Sequence, residues 1–290
     1  MDNSGEYRHV SQLDLRKHNV SKLYHFTKAD NLENIMRYGL LPKTVLNERS
    51  IGFKDNDTYR LDKHADSISL SISFPNYLMF YRYRKQPENK NVRWAILELD
   101  AWRVLCNPSI ECAYYWYNAA DSRMSQIDYK LLEDDKAFHA LFMDRMFDCG
   151  GHANDRLHFK VKKHNYKEEA LPASYTTNPQ AEVLVFSPLS KMCISQIYFE
   201  HPEDLDRYRD ACPRLLKYRK WNNNNYYLVN SKKFFNPRPD YEYWKSEDTK
   251  SADRICFDRY LSLVDDNQER WILNYSMQKQ WTTTEVPVCD

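Results

Sequence analysis

Glycine is scarce in this sequence. Five glycines in 290 residues leave little room for Gly-rich phosphate turns, and neither a G-x-G-x-x-G nor a Walker loop occurs, which excludes the two commonest nucleotide-binding folds. Paired cysteines are missing too. The seven cysteines, at 106, 112, 149, 193, 212, 256 and 289, lie far apart, with no C-x-x-C and no Cys/His spacing suited to zinc. An odd, scattered set reads as reduced thiols, and no metal is expected. No apolar run approaches the roughly 18 residues of a membrane span, and the opening MDNSGEYRHV has no apolar core for export. The expectation is a soluble, cytoplasmic protein with no membrane partner. Net charge is nearly absent as well, at +1, so only the distribution of charge along the chain is informative.

What is abundant is aromatic: 22 Tyr, 13 Phe and 7 Trp, within an apolar fraction of 42%. With a mean hydropathy of −0.80, this is the composition of a folded chain and not of a disordered one. The length suits one large domain, or one domain with an appendage. Leu23 to Phe26 reads as a short extended piece. A helix follows, with Thr27 or Asp30 as N-cap, Leu32, Ile35 and Met36 on one face and Gly39 at its end. Residues 43–66 are too charged for a core element and read as a connecting or functional loop. The stretch NYLMFYRYRK, 76–85, reads as a helix with Leu78, Tyr81 and Tyr83 against a sheet, 94–100 as a strand, 134–147 as a helix, and AEVLVF and ISQIYF as strands. Strands and helices mix without a βαβ rhythm, which predicts an α+β fold with a mainly antiparallel sheet. From about 203 the chain becomes basic and aromatic, so we divide it into a core, 1–202, and an extension, 203–290, packed on or appended to that core.

Within DTYRLDKHADSISLSISFPN a serine falls at every second position, Ser67, Ser69, Ser71 and Ser73, alternating with Ile68, Leu70 and Ile72. That is the period of a strand with one buried face. Three residues, Arg60 of this stretch and two elsewhere, can carry chemistry. His25 can present an imidazole to a ligand or be a core histidine. Arg60 can clamp a phosphate or form a surface pair with Asp62. Glu182, opening a strand of Val, Leu and Val, is either a partly buried catalytic carboxylate or a solvated edge residue.

Taken together, LYHFTKADNLENIMRYGLL, NDTYRLDKHADSISLSISFPNYLMFYRYR, YNAADSR and TNPQAEVLVFSPL resemble, in order, the motifs of the DarT family of ADP-ribosyltransferase toxins, over about residues 22–200. The resemblance implies a split, curved, mainly antiparallel β-core with flanking helices, and NAD as co-substrate. It implies that His25 and Thr27 contact NAD, that Asn31 lies on its adenosine side, and that Arg60 binds phosphate or orients the acceptor base. It also implies that Glu182 is the catalytic glutamate. The serine strand would wall the NAD cleft, with Ser71, Ser73 and Asn76 as its contacts. The loop before the glutamate would read the acceptor through Tyr175, Thr176, Thr177 and Asn178.

The chemistry explains the residue types. Breaking the nicotinamide glycosidic bond develops positive charge on the ribose, which a carboxylate stabilises, and an acceptor base nitrogen must lose a proton. The resemblance favours single-stranded DNA as acceptor, with RNA as the alternative. A toxin–antitoxin or anti-phage role would bring an antitoxin partner, of macrodomain type or another. An NAD glycohydrolase, a protein-directed transferase and a non-catalytic binding module are the other readings. The interleaved cations and aromatics of 207–245 suit either single-strand binding or a cap packed on the core.

Overall fold

The computed structural model describes residues 9–55, 62–121, 124–142, 145–148, 158–161, 171–211 and 228–245. Its helices are α1 Gln12–Lys17, α2 Leu32–Tyr38, α3 Lys43–Glu48, α4 Tyr77–Arg84, α5 Ala101–Leu105, α6 Asp135–Ala140, α7 Pro202–Ala211 and α8 Tyr241–Lys245. Its strands are β1 Lys22–Lys28, β2 Ile68–Ile72, β3 Trp94–Asp100, β4 Cys112–Tyr115, β5 Arg145–Asp148, β6 His158–Val161, β7 Glu182–Val185, β8 Ile194–Phe199 and β9 Leu228–Asn230. Seven strands form one sheet in the order β4-β7-β2-β1-β3-β8-β9, and β5 pairs with β6 separately. Neighbours in the large sheet are antiparallel except β8 and β9, so the α+β expectation holds.

The alternation of side chains sorts the sheet into two layers. Leu23, Leu97, Leu99 and Ile197 point into the larger, mixed aliphatic and aromatic core, whereas Tyr24, Trp94, Ile96 and Tyr198 point into a smaller, mainly aromatic one completed by Phe74, Tyr77, Phe80, Phe234 and Phe235. Much of the aromatic excess is therefore interior packing, with rings meeting at offset or edge geometries such as Tyr24–Phe234 at 4.6 Å and Phe80–Trp94 at 5.4 Å. Phe234 and Phe235 belong to the C-terminal segment, so part of the basic, aromatic stretch is built into the fold.

Local chemistry sets the element ends. Ser11 and Asp14 form a capping box at α1, and Asn76 caps α4 by accepting from Met79 N. Several expectations are corrected. Thr27 lies inside β1 and Asp30 in a short 3-10 turn, and the α2 N-cap is Asn31 with no side-chain cap bond. The charged stretch after residue 42 contains α3, a helix with no buried residue, whose polar sequence shows no core-facing period. The apolar spacing of 134–147 extends past the helix. α6 stops at Ala140, Leu141 and Phe142 continue into the core from a turn, and 145–148 is a strand. On α4 the buried face is Tyr77, Phe80 and Tyr83, while Tyr81 is 56% exposed.

A buried carboxylate ties three strands together. Glu98 on β3 accepts from Ser195 Oγ (2.7 Å), Tyr198 OH (2.7 Å) and Tyr24 OH (3.3 Å), and pairs with Lys22 Nζ at 2.9 Å. Burial alone raises its pKa, but the donors Lys22, Ser195 and Tyr198 prevail and hold the carboxyl below the usual range. A folded-state pKa below the unfolded one stabilises the fold above the unfolded value, near 4.5, and this contribution fades as pH falls through the folded value. Denaturant titrations from pH 7 downward should show this loss below about pH 4.5 in the wild type and a flatter profile in Glu98→Gln. Glu98→Ala should cost about 3 kcal/mol at neutral pH. At Gly39, φ is +91° and an added Cβ would lie 2.3 Å from Leu189 O, next to the bridge between Leu40 and Leu189. Gly39→Ala should therefore lower the melting temperature by several degrees, at a cost of about 1 kcal/mol or more.

Candidate active site in the split of the sheet

β1 and β2 are ladder partners at only two positions, Leu23 with Ile72 and Tyr24 with Ser71. Beyond Tyr24, β1 continues beside β3, while the other half of β2 pairs with β7 through Ile68, Ser69 and Leu70. A cleft of about 190 Å³ opens in this wedge, with His25 and Thr27 on the β1 side and Ser69 and Glu182 on the other. His25 spans it where the ladder has parted, its Nδ1 lying 3.0 Å from Ser69 O. A carbonyl only accepts, so Nδ1 donates, and in the neutral ring Nε2 is the acceptor.

The floor beside His25 is polar and closely held. Thr27, 3% exposed, accepts at Oγ1 from Asn31 Nδ2 at 3.0 Å. Asn31 also donates to Lys54 O (2.9 Å) and accepts from Lys54 N (2.6 Å). Asn34 donates to Gly52 O at 2.7 Å, and Lys43 pairs with Asp55 at 2.7 Å. These bonds attach the 43–55 segment to β1 and α2 as one wall of the cleft. Asn31 thus lines the cleft with both amide protons committed to the protein.

The serine row divides by position. Ser67, Ser69 and Ser71 line the cleft together with Asn76. Ser67 Oγ donates to His64 O, and Ser71 Oγ accepts from Asn76 N at 3.0 Å. Ser73 lies past the end of β2 with φ +60°, its amide donating to Lys22 O, and it is not among the cleft-lining residues.

Glu182 opens β7 opposite Tyr115 and is 7% exposed. Its Oε1 accepts from Ala119 N at 2.5 Å, a charge-assisted bond that fixes the carboxylate at the cleft wall. Burial, then the charges of Glu182 and Asp62, raise the Tyr115 phenol, so negative charge concentrates here, where positive charge on a substrate would be stabilised. Sequence reasoning did not single out Asp62 and Asn118 as cleft residues, although both line it. Asn118 sits inside the quoted YNAADSR, where its Oδ1 accepts from Ala120 N at 2.9 Å. Arg60 lies outside the described residues.

The loop before β7 is built inward. Thr176, Thr177 and Asn178 are at most 2% exposed. Thr176 Oγ1 donates to Asn178 O, Thr177 N to Leu141 O, and Gln180 N to Asn178 Oδ1. Thr176 Oγ1 and Asn178 Oδ1 are thus committed within the loop itself. Tyr175 is half-buried, its ring 5.7 Å from that of Phe74, and its phenol is raised chiefly by burial. None of the four lines the cleft.

Comparisons with known proteins bear on this site. No curated protein matches the sequence. Thermosipho africanus DarTG, solved in complex with ADP-ribose, is 19% identical with a TM-score of 0.45; the alignment covers 74% of this chain and 50% of that one. The chain thus spans about half the length of that relative. Thermus sp. 2.9 DarT in complex with NAD+ is 14% identical over 73% of this chain and 96% of that one, TM-score 0.42. The same protein in complex with ADP-ribosylated ssDNA is 13% identical over 79% and 99%, TM-score 0.39. The family model described as "ssDNA thymidine ADP-ribosyltransferase, DarT" matches residues 24–235, from the strand that carries His25 to the aromatic layer behind the cleft. This chain therefore belongs to the DarT family.

Proposed function

We propose that this protein transfers ADP-ribose from NAD to a thymidine base in single-stranded DNA, with release of nicotinamide. The observation that carries the reading is the placement of His25, Thr27 and Glu182 on the walls of one cleft in a chain of this family. NAD is the co-substrate, and the catalytic residues lie within 1–202. His25 orients the nicotinamide riboside through Nε2, its ring fixed by the Nδ1 bond to Ser69 O. Thr27 and Asn31 hold the wall against which the adenosine half rests.

The C1′–nicotinamide bond breaks with its electron pair leaving on nicotinamide. Glu182, ionised and held by Ala119 N, stabilises the positive charge that develops on the ribose. The new bond joins C1′ to a nitrogen of the base. In thymidine only the imide nitrogen carries a proton, and that proton passes to a general base as the bond forms. Arg60 polarises the base or holds the diphosphate. Tyr175 is the acceptor-loop residue whose half-buried ring can stack on a base, as single-strand binders use aromatics. Modifying the cell's own single-stranded DNA would be toxic. We therefore place the protein as the toxin of a toxin–antitoxin or anti-phage pair, acting in the cytoplasm, with an antitoxin protein as partner. Among the described residues no helix is long and apolar enough to cross a membrane.

Purified protein incubated with NAD and short oligonucleotides should add one ADP-ribose mass to DNA that contains thymidine and none to DNA that lacks it. Labelling of RNA instead would replace the acceptor, and nicotinamide release without any labelling would overturn transfer to nucleic acid. Glu182→Gln should lower the transfer rate by about 10²–10³, and an undiminished rate would remove Glu182 from the chemistry. Asn31→Asp, which loses the donors to Thr27 and Lys54, should raise KM for NAD about tenfold while leaving kcat within about threefold, the split expected of a lost binding interaction.

A further inference from the structure

Residues 236–245 follow the end of the family match at 235, yet they contain one of the most buried ion pairs among the described residues. Arg238 and Asp240 are each 2% exposed. Arg238 donates from Nε to Asp240 Oδ1 at 2.7 Å and from Nη2 to Asp240 Oδ2 at 2.5 Å. The same guanidinium donates from Nη1 to Thr176 O at 3.0 Å and from Nη2 to Thr177 O at 3.4 Å. Asp240 Oδ2 also accepts from Trp244 Nε1 at 2.8 Å, and the guanidinium carbon lies 5.5 Å from the centre of the Tyr175 ring.

Burying such a pair adds little net stability over an apolar replacement of the same volume, because desolvation offsets the attraction. What it supplies is geometry. The planar fork of donors fixes the loop carbonyls and the Asp240 carboxylate relative to one another, an arrangement a lysine cannot reproduce. The loop so held is the one that ends at Glu182, and its opposite side is fixed by the bond from Thr177 N to Leu141 O. The Tyr175 ring lies near both the guanidinium and Phe74, and Phe74 is two residues from the cleft-lining Asn76.

We propose that Arg238, with Asp240 and Trp244 behind it, is a positioning residue for acceptor recognition: it fixes the 175–178 loop so that the Tyr175 ring meets the acceptor base. This rests on the transferase reading above and extends it. The cleft proposed to hold NAD is lined by residues of β1, β2, the 43–55 wall and Glu182 among others, and by none of residues 175–178, so the clamp governs the oligonucleotide and leaves NAD binding alone.

The test uses the full-length chain and a thymidine-containing DNA oligonucleotide. Arg238→Lys keeps the charge but not the fork. The double variant Arg238→Met/Asp240→Leu replaces the pair with apolar volume and keeps the interior filled. Both should bind NAD within about twofold of wild type by calorimetry. Their KM for the oligonucleotide should rise at least about tenfold, and more nicotinamide should be released per labelled oligonucleotide. Unchanged oligonucleotide KM in a folded variant overturns the proposal, and so does a parallel loss of NAD and oligonucleotide affinity, which marks a merely structural role. Should neither variant fold, Tyr175→Ala takes their place: it should raise oligonucleotide KM with NAD affinity intact, and unchanged KM overturns the proposal. If wild-type protein labels no oligonucleotide, the transferase reading itself fails; labelling by wild type with unaltered variants removes the clamp alone.

Discussion

The parting of β1 from β2 after Tyr24 is the constraint on which the site depends. A continuous ladder would pair the backbone groups of residues 25–28 with β2 and leave no wedge. Past Tyr24, β2 keeps its pairing with β7 on one edge but parts from β1 on the other, and there the His25 imidazole reaches across to Ser69 O. One side chain thereby satisfies a carbonyl freed by the split and is fixed in orientation at the mouth of the cleft. The same parting carries β7, and hence Glu182, to the far wall.

Polar groups around the cleft are mostly committed to holding its shape. Ser67, Ser71 and Asn76 hook the ends of β2 to the neighbouring turns, and Asn31 and Asn34 attach the 43–55 wall. Buried polar groups without partners are costly, so a cleft that must present polar edges to a dinucleotide is rigid only if those groups are cross-linked. Ser67 and Ser71 satisfy both needs. Their small side chains leave room in the cleft, and their hydroxyls reach backbone partners three and five residues away.

How much was legible in the sequence follows from this. The strands at 94–100, 182–185 and 194–199 were readable because they are short runs rich in β-branched, aromatic and other apolar residues, too short for a typical helix. The convergence of His25, Thr27, Ser71, Asn76 and Glu182 on one cleft came through the family resemblance, since local period carries no information about which distant strands part. Ser73 stands outside the cleft lining because its left-handed φ ends the strand one residue before the alternation does. The interior positions of Thr176, Thr177 and Asn178 were invisible because small polar residues in a loop read as solvent-facing. Their burial is set by Arg238 and Leu141, 61 and 36 residues from Thr177 in sequence.

In the described part of the C-terminal stretch several rings and one cation are interior. Interleaved cations and rings resemble a single-strand binding surface, yet Tyr208, Phe234, Phe235, Arg238 and Trp244 are all interior. Tyr208 stacks on Phe199 at 5.4 Å and donates to Asp30, and Phe234 and Phe235 seal the aromatic face of the sheet. A sheet with seven strands has two faces to cover; β9 joins β8 at its edge, and Phe234 and Phe235 beyond β9 pack with Tyr24, Ile96 and Tyr198 on the aromatic face. The buried arginine follows from the same geometry. A segment laid over that face comes within hydrogen-bonding reach of the loop leading to Glu182, where carbonyls turned inward require a donor.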